Sequence, residues 1–329
     1  MAPPPSRKQK NDDVKSPIVF TCPGFKPDAR LMVFDQEFQV LSPMLKLNSA
    51  FFRKFFDSPD KAPTNKASSR IGLGSFTTFK YDWITIVDAA LLAISIPEDE
   101  LQTQLESLRG DRKSSGIYDL IVAFEKLLCA IFARPYQLQD TEQLLLMVDL
   151  ADYYHALPIL SRTLDGALIN SPIFCQDIGN YCTELFVAAA KLRNALLFRE
   201  CLIWVVGPHR TPKYEDLSDQ KLRLVARCAH GDISTKDSDN FEAQSDELFK
   251  DMGQHHSEHG EGLIDYAWWF RDLNDKCLLH EHDLLGLLDN KLVLDNMIHT
   301  AGGVRFQDHF FCATISDEEL PWDVNKTDW

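Results

Sequence analysis

The sequence predicts an α+β protein: a small β-sheet flanked by helical hairpins, with a long insertion, followed by a mostly α-helical extension. Three observations carry this. Between Asp28 and Val40, the apolar residues Leu31, Val33, Phe38 and Val40 alternate with more polar ones, the two-residue period of a half-buried strand. From Ser42 to Phe56, and again from Tyr118 to Ile169, apolar residues recur at helical spacing instead. Roughly sixty residues, 57–117, separate those two helical blocks.

Composition narrows the class. The 329 residues suffice for about two domains of ~150 residues each. A hydrophobic content of 45% with 25% charged residues is ordinary for a globular protein. The net charge of −15 argues against direct nucleic-acid binding, which needs clustered Lys and Arg for the phosphates. No apolar run reaches the ~20 residues of a membrane-spanning helix, so no membrane partner is expected. The eight cysteines are dispersed with no Cys-x-x-Cys, and several fall in apolar helical patterns, the behaviour of reduced thiols in an intracellular protein. Cytoplasm and nucleus both stay open.

Residues 1–17 form a predicted disordered tail, with three consecutive prolines and little to bury. Arg7-Lys8-Gln9-Lys10 within it reads as a nuclear-import patch or as ordinary solvated charge. In the hairpin the tip is placed at Asp35-Gln36-Glu37. Ser42-Pro43 then supplies an N-cap and a first helical residue with preset φ. Ser49 offers a second cap, and behind it Phe51/Phe55 and Phe52/Phe56 stand one turn apart. Met44, Leu45 and Leu47 crowd a short helix over Pro43–Leu47; they fill a core or form a surface.

In the insertion, Asp57–Arg70 is Pro/Ser/Lys/Asn-rich loop, and Phe76–Val87 has the β-branched and aromatic content of one or two strands. Ile121, Phe124, Leu128, Ile131 and Phe132 then mark one helix face, stopped by Pro135. Thr141 is the expected N-cap of the next helix, which leads to Leu150-Ala151-Asp152-Tyr153-Tyr154. Pro158 opens a helix to Ile169 with leucines at 160, 164 and 168.

A helical extension is expected over 171–230. It contains one long helix from about Cys182 to Val206, ended by Gly207-Pro208, and an amphipathic stretch Leu217–Ala229. Residues 231–262 read as a mobile acidic linker or a partly ordered loop. The segment 263–329 recovers a helical pattern through Ile298, breaks at Ala301-Gly302-Gly303, and ends in a tail whose Phe306, Phe310, Phe311 and Trp322 are too apolar not to dock.

The order Asp28, Leu31, Val33, Phe38, Val40, Leu45, Ser49, Phe52 resembles the opening of a BTB/POZ domain, in which a hairpin feeds a helical hairpin ending in a Ser-x-x-Phe turn. The helix carrying Phe124 and Leu128, and the run Leu150, Ala151, Asp152, Tyr153, Tyr154, similar to the family's Leu-Ala-Asp-x-Tyr, supply a second half. Together the halves cover roughly a third of the chain; the resemblance implies an atypical, fungal-type domain over 18–170, with much of 57–117 as an elaborated insertion in a region that is compact in the family. The resemblance implies a protein–protein interaction adaptor. It implies homodimerisation through the first helix, with Met44, Leu45 and Leu47 as candidate surface, and a cullin-type ubiquitin ligase as a further partner. Leu41 and Ser42 stand where relatives carry His and a basic residue, which argues against the charged pocket used by co-repressor recruiters. A transcription-associated regulator is the alternative reading.

A third reading is a metal-binding protein using His255, His256 and His259. Their order is not His-Glu-x-x-His, and Gly253, Gly260 and Gly262 oppose the rigid helix such a site uses. His280 and His282 lie two apart in a helical pattern and point in different directions. Gly-x-Ser-x-Gly, P-loop and dinucleotide fingerprints are all missing from the sequence, so neither enzymatic activity nor a cofactor is expected.

Overall fold

The computed structural model describes residues 15–58, 79–84, 115–242, 267–275, 285–295 and 299–326. It is a mixed α/β protein with a small four-stranded sheet and, among the described residues, ten α-helices. The chain divides into two compact units, one of Met1–Phe132 with Tyr153–His155, the other of Ala133–Asp152 with Ala156–Trp329. The division thus falls inside the expected 18–170 domain.

In the first unit, β1 (Ile18–Phe20), β2 (Ala29–Val33), β3 (Gln36–Val40) and β4 (Tyr81–Ile84) lie in the order β1-β3-β2-β4. β2 and β3 pair antiparallel, whereas β1 on β3 and β4 on β2 are parallel. Alternate residues of β2 and β3 are buried, as the two-residue period requires. Leu31 and Phe38 are cross-strand partners on that buried face. The hairpin tip is Phe34-Asp35, overlapping the expected tip at Asp35 alone, with Phe34 at φ 51°. Gln36 belongs to the strand because it shares the buried face with Phe38 and Val40, its amide donating to Ser16 O at 3.1 Å.

Helices α1 (Ser42–Asn48) and α2 (Ala50–Asp57) follow. Ser42 is not the N-cap expected of it: that position is Leu41, which has no side-chain cap bond. Asp28 reaches across instead, its carboxylate accepting from Ser42 N and Ser42 Oγ at 2.7 Å each, a negative charge at the positive helix end. Of the insertion 57–117, only 57–58, 79–84 and 115–117 are among the described residues, and there Tyr81–Ile84 is the strand expected within Phe76–Val87. Helix α3 (Ser115–Ile131) buries Leu120, Phe124, Leu127 and Leu128.

The core of this unit is aromatic. Phe38 meets Phe124 at 5.5 Å, Phe124 meets Tyr154 at 5.6 Å, and Tyr154 stacks on Phe52 at 5.1 Å and 11°. Phe52 in turn stacks on Phe56, which meets Tyr81 at 4.5 Å. Each such pair contributes about 0.5–1.5 kcal/mol beyond its buried area. The Phe52/Phe56 repeat expected from the sequence is therefore one face of the core.

The second unit is helical: α4 (Thr141–Tyr153, whose last residue belongs to the first unit), α5 (Leu157–Ile169), α6 (Pro172–Asp177), α7 (Cys182–Leu192), α8 (Ala195–Val206), α9 (Gln220–Glu242) and α10 (Ala267–Asp275). Asp140, not Thr141, caps α4: Gln143 N donates to Asp140 Oδ1 at 2.8 Å, and the Gln143 side chain accepts from Gln139 N. The long helix expected over 182–206 is two helices. Arg193 adopts a left-handed φ of 52° and Asn194 starts the second, its Oδ1 accepting from Leu197 N at 2.8 Å and its amide donating to Asp165 at 2.7 Å.

Helix α8 is enclosed on nearly every side, with nine of its twelve residues buried. It ends at Gly207, where a Cβ would stand 2.8 Å from Ile203 O and 2.9 Å from Phe310 O. The first part of the expected linker is helical: Ile233 extends the buried row Leu222, Ala226, Ala229, and α9 runs on to Glu242. The helical pattern expected through Ile298 ends early. Beyond the 3-10 turn Leu285–Leu288, residues 289–295 and 299–326 run as turns and bridges. That tail does dock: Phe310 and Phe311 are buried, Phe306 meets Trp204 at 5.6 Å, and Trp322 stands edge-on to Phe198 at 5.0 Å.

Candidate partner surface

Helix α1 is held at both ends. At its start stands the Asp28–Ser42 pair; at its end Asn48 Nδ2 donates to Met44 O and to Ile131 O at 3.3 Å. Arg53 Nε donates to Lys46 O at 3.0 Å, satisfying a carbonyl of the last turn, and Lys46 pairs with Asp57 across the helix pair. Ser49 closes the corner: its Oγ accepts from Phe52 N at 3.1 Å and donates to Tyr154 O at 2.6 Å.

This frame sorts the three candidate surface residues. Leu45 is 0% exposed and belongs to the core, so it is removed from the candidate surface. Leu47 is 71% exposed and Met44 is partly exposed on the same short helix. The apolar cluster is therefore split, with Leu45 inward, Leu47 outward and Met44 at the boundary.

Among the expected core positions, Phe38, Val40, Ser49, Phe52, Phe124, Leu128, Leu150 and Ala151 are all buried. Three positions differ. Asp28 is only half-buried, held at its bonds to Ser42. Asp152 is exposed and pairs with Lys191 Nζ at 3.0 Å. Tyr153 is only half-buried, and the neighbouring Tyr154, at 1% exposure, is the core aromatic.

Sequence reasoning missed a second constellation, inside the second unit. Glu200 on α8 is 1% exposed, and its carboxylate accepts three successive backbone N–H groups: Val293 at 2.8 Å, Leu294 at 3.1 Å and Asp295 at 3.1 Å. Burial pushes its carboxyl above the ordinary glutamate value, and the three N–H bonds only partly oppose that. Asp295 accepts from His299 Nε2 at 2.5 Å beside it. A single acid in a helical run whose other charge is Arg199 was the available signal. Its partners are 93 to 95 residues away, beyond any local pattern.

The seven cysteines among the described residues are in the thiol form, outside any disulfide. Burial raises Cys175 to about 12 and also raises Cys182 and Cys201, which keeps these thiols protonated at neutral pH. Among the described residues no three His, Cys, Asp or Glu side chains gather as a metal site. His255, His256, His259, His280 and His282 lie outside the described residues, as do Arg7, Lys8 and Lys10. No described helix is long and apolar enough to cross a membrane.

Fold and site together define a mixed α/β protein with a rigidly framed apolar helix on one unit and a tail-wrapped helix in the other. No protein-family model, no curated protein and no solved structure matches the chain at a significant level.

Proposed function

We propose that this protein is a non-enzymatic, intracellular adaptor built on an atypical BTB/POZ-like unit, and that it self-associates through α1. The order of elements supports the reading: a hairpin feeding a helical pair through Ser49-x-x-Phe52, then a further strand, then the helix bearing Phe124 and Leu128. Cysteines in the thiol form support a reducing compartment. The observation that carries self-association is Leu47, 71% exposed beside Met44 on a helix pinned at both ends. One exposed leucine is ordinary on any surface. Two apolar side chains on a preorganised helix suit a two-fold contact, because a C2 interface apposes the same patch from both copies and a fixed helix loses little entropy on docking.

Light scattering on the purified protein tests it. Wild type should run at twice the 37.5 kDa chain mass, and Leu47→Asp should run at the chain mass with an unchanged circular dichroism spectrum. A wild-type mass of one chain at high concentration removes the dimer. A cullin partner rests on the family resemblance alone, through an apolar-x-Glu element in the middle of the domain, which the sequence does not place within 57–117. Absence of any cullin from a native pull-down counts against that arm.

A further inference from the structure

Within the second unit a pocket of about 230 Å³ opens where the starts of two helices meet the docked tail. Arg162 of α5, Arg193 at the α7–α8 turn and Lys326 of the tail line it, against a single carboxylate, Asp323. The balance of the lining is +2, in a chain whose overall charge is −15. Pro158, in the first turn of α5, and Ala195, the first residue of α8, also line it, so two helix N-termini add their positive ends. Helix α5 begins without a side-chain cap, which leaves its first turn with no side-chain acceptor. Ser161 adds a hydroxyl, and the remaining walls are apolar: Trp322, held edge-on against Phe198, and Val324.

We infer that this pocket binds a phosphomonoester carried on a small apolar or aromatic group. A phosphomonoester bears about −1.5 to −2 at pH 7, which matches the lining, and its oxygens suit the planar donor forks of two arginines. A carboxylate carries half that charge. The volume lies below the roughly 300–1,000 Å³ of pockets for whole drug-sized ligands, so the site takes a group and not a nucleotide cofactor. Trp322 and Val324 give the carrier of the phosphate an apolar face, which bare phosphate leaves unused.

Isothermal titration of the full-length protein with phenyl phosphate, inorganic phosphate and benzoate at low salt tests this. Phenyl phosphate should bind saturably and more tightly than either comparison anion. Arg162→Gln and Lys326→Gln, both at exposed positions, should each weaken it about tenfold, the cost expected for one charge-assisted contact. Arg305→Gln, on a residue outside the pocket lining, should leave it unchanged. Absence of saturable heat overturns the site, and so do wild-type affinities in both pocket variants. Benzoate binding as tightly as phenyl phosphate overturns the phosphate assignment, and inorganic phosphate doing so overturns the apolar carrier. The readout is independent of self-association, so it stands or falls apart from the Leu47→Asp result.

Discussion

Single side chains at two corners decide much of the local structure. Ser49 both caps α2 and donates to Tyr154 O, so Ser49→Ala should destabilise the first unit by about 1–2 kcal/mol, read as a lower urea midpoint. Glu200 acts in the opposite electrostatic sense. Its folded carboxyl titrates above its ordinary value of 4.5, so the folded state holds the proton more tightly than the unfolded chain. Stability should therefore fall as pH rises from about 4.5 through the raised folded value, and Glu200→Gln should flatten that slope. Urea midpoints for the two proteins that run parallel across this range would contradict the assignment. The cap at Ser49 was legible in the sequence because cap and helix are adjacent in the chain. Glu200 was not, since a carboxylate bonded to distant backbone leaves no periodicity.

At the scale of elements, the strands and the Phe52/Phe56 face were legible because both faces of the pattern are local. The break between α7 and α8 was not. Apolar residues keep helical spacing straight through Arg193 and Asn194, and the stop is made by Asn194 turning its side chain to Leu197 N and Asp165. Asn194→Ala should cost about 1–2 kcal/mol by losing the cap and the Asp165 bond together, measured by denaturant unfolding. The candidate surface was half legible. Spacing on α1 identified an apolar cluster, but which member turns inward depends on the Asp28–Ser42 anchor, and there Leu45 went to the core while Leu47 stayed out. Tyr153 and Tyr154 show the same limit: adjacent aromatics look equivalent until packing chooses one.

For the second unit as a whole, the tail is part of the core. Phe310 and Phe311 are buried, Arg199 Nε donates to Ile315 O at 3.2 Å and Lys221 Nζ to Pro321 O at 2.6 Å. A chain truncated after Asp295 should expose the Trp204 and Phe198 faces of α8, bind a hydrophobic dye and lose solubility. Retention of the full-length melting temperature would show the tail to be dispensable. The aromatic content of the tail made its docking legible, though not its form. Turns replaced the expected helix because its backbone donors go to Glu200 and to Asn290.

The grip on Glu200 also sets a clock. Its nearest partner, Val293, follows it by 93 residues, so at synthesis rates of about 5–20 residues per second α8 waits roughly 5–20 s for the backbone that satisfies its buried carboxylate. During that interval the most apolar helix of the second unit is made but uncovered. The nascent chain is then at its most exposed to misassembly, and slowed elongation between Gly207 and Val293 should lower the soluble yield more than the same delay placed after Leu320.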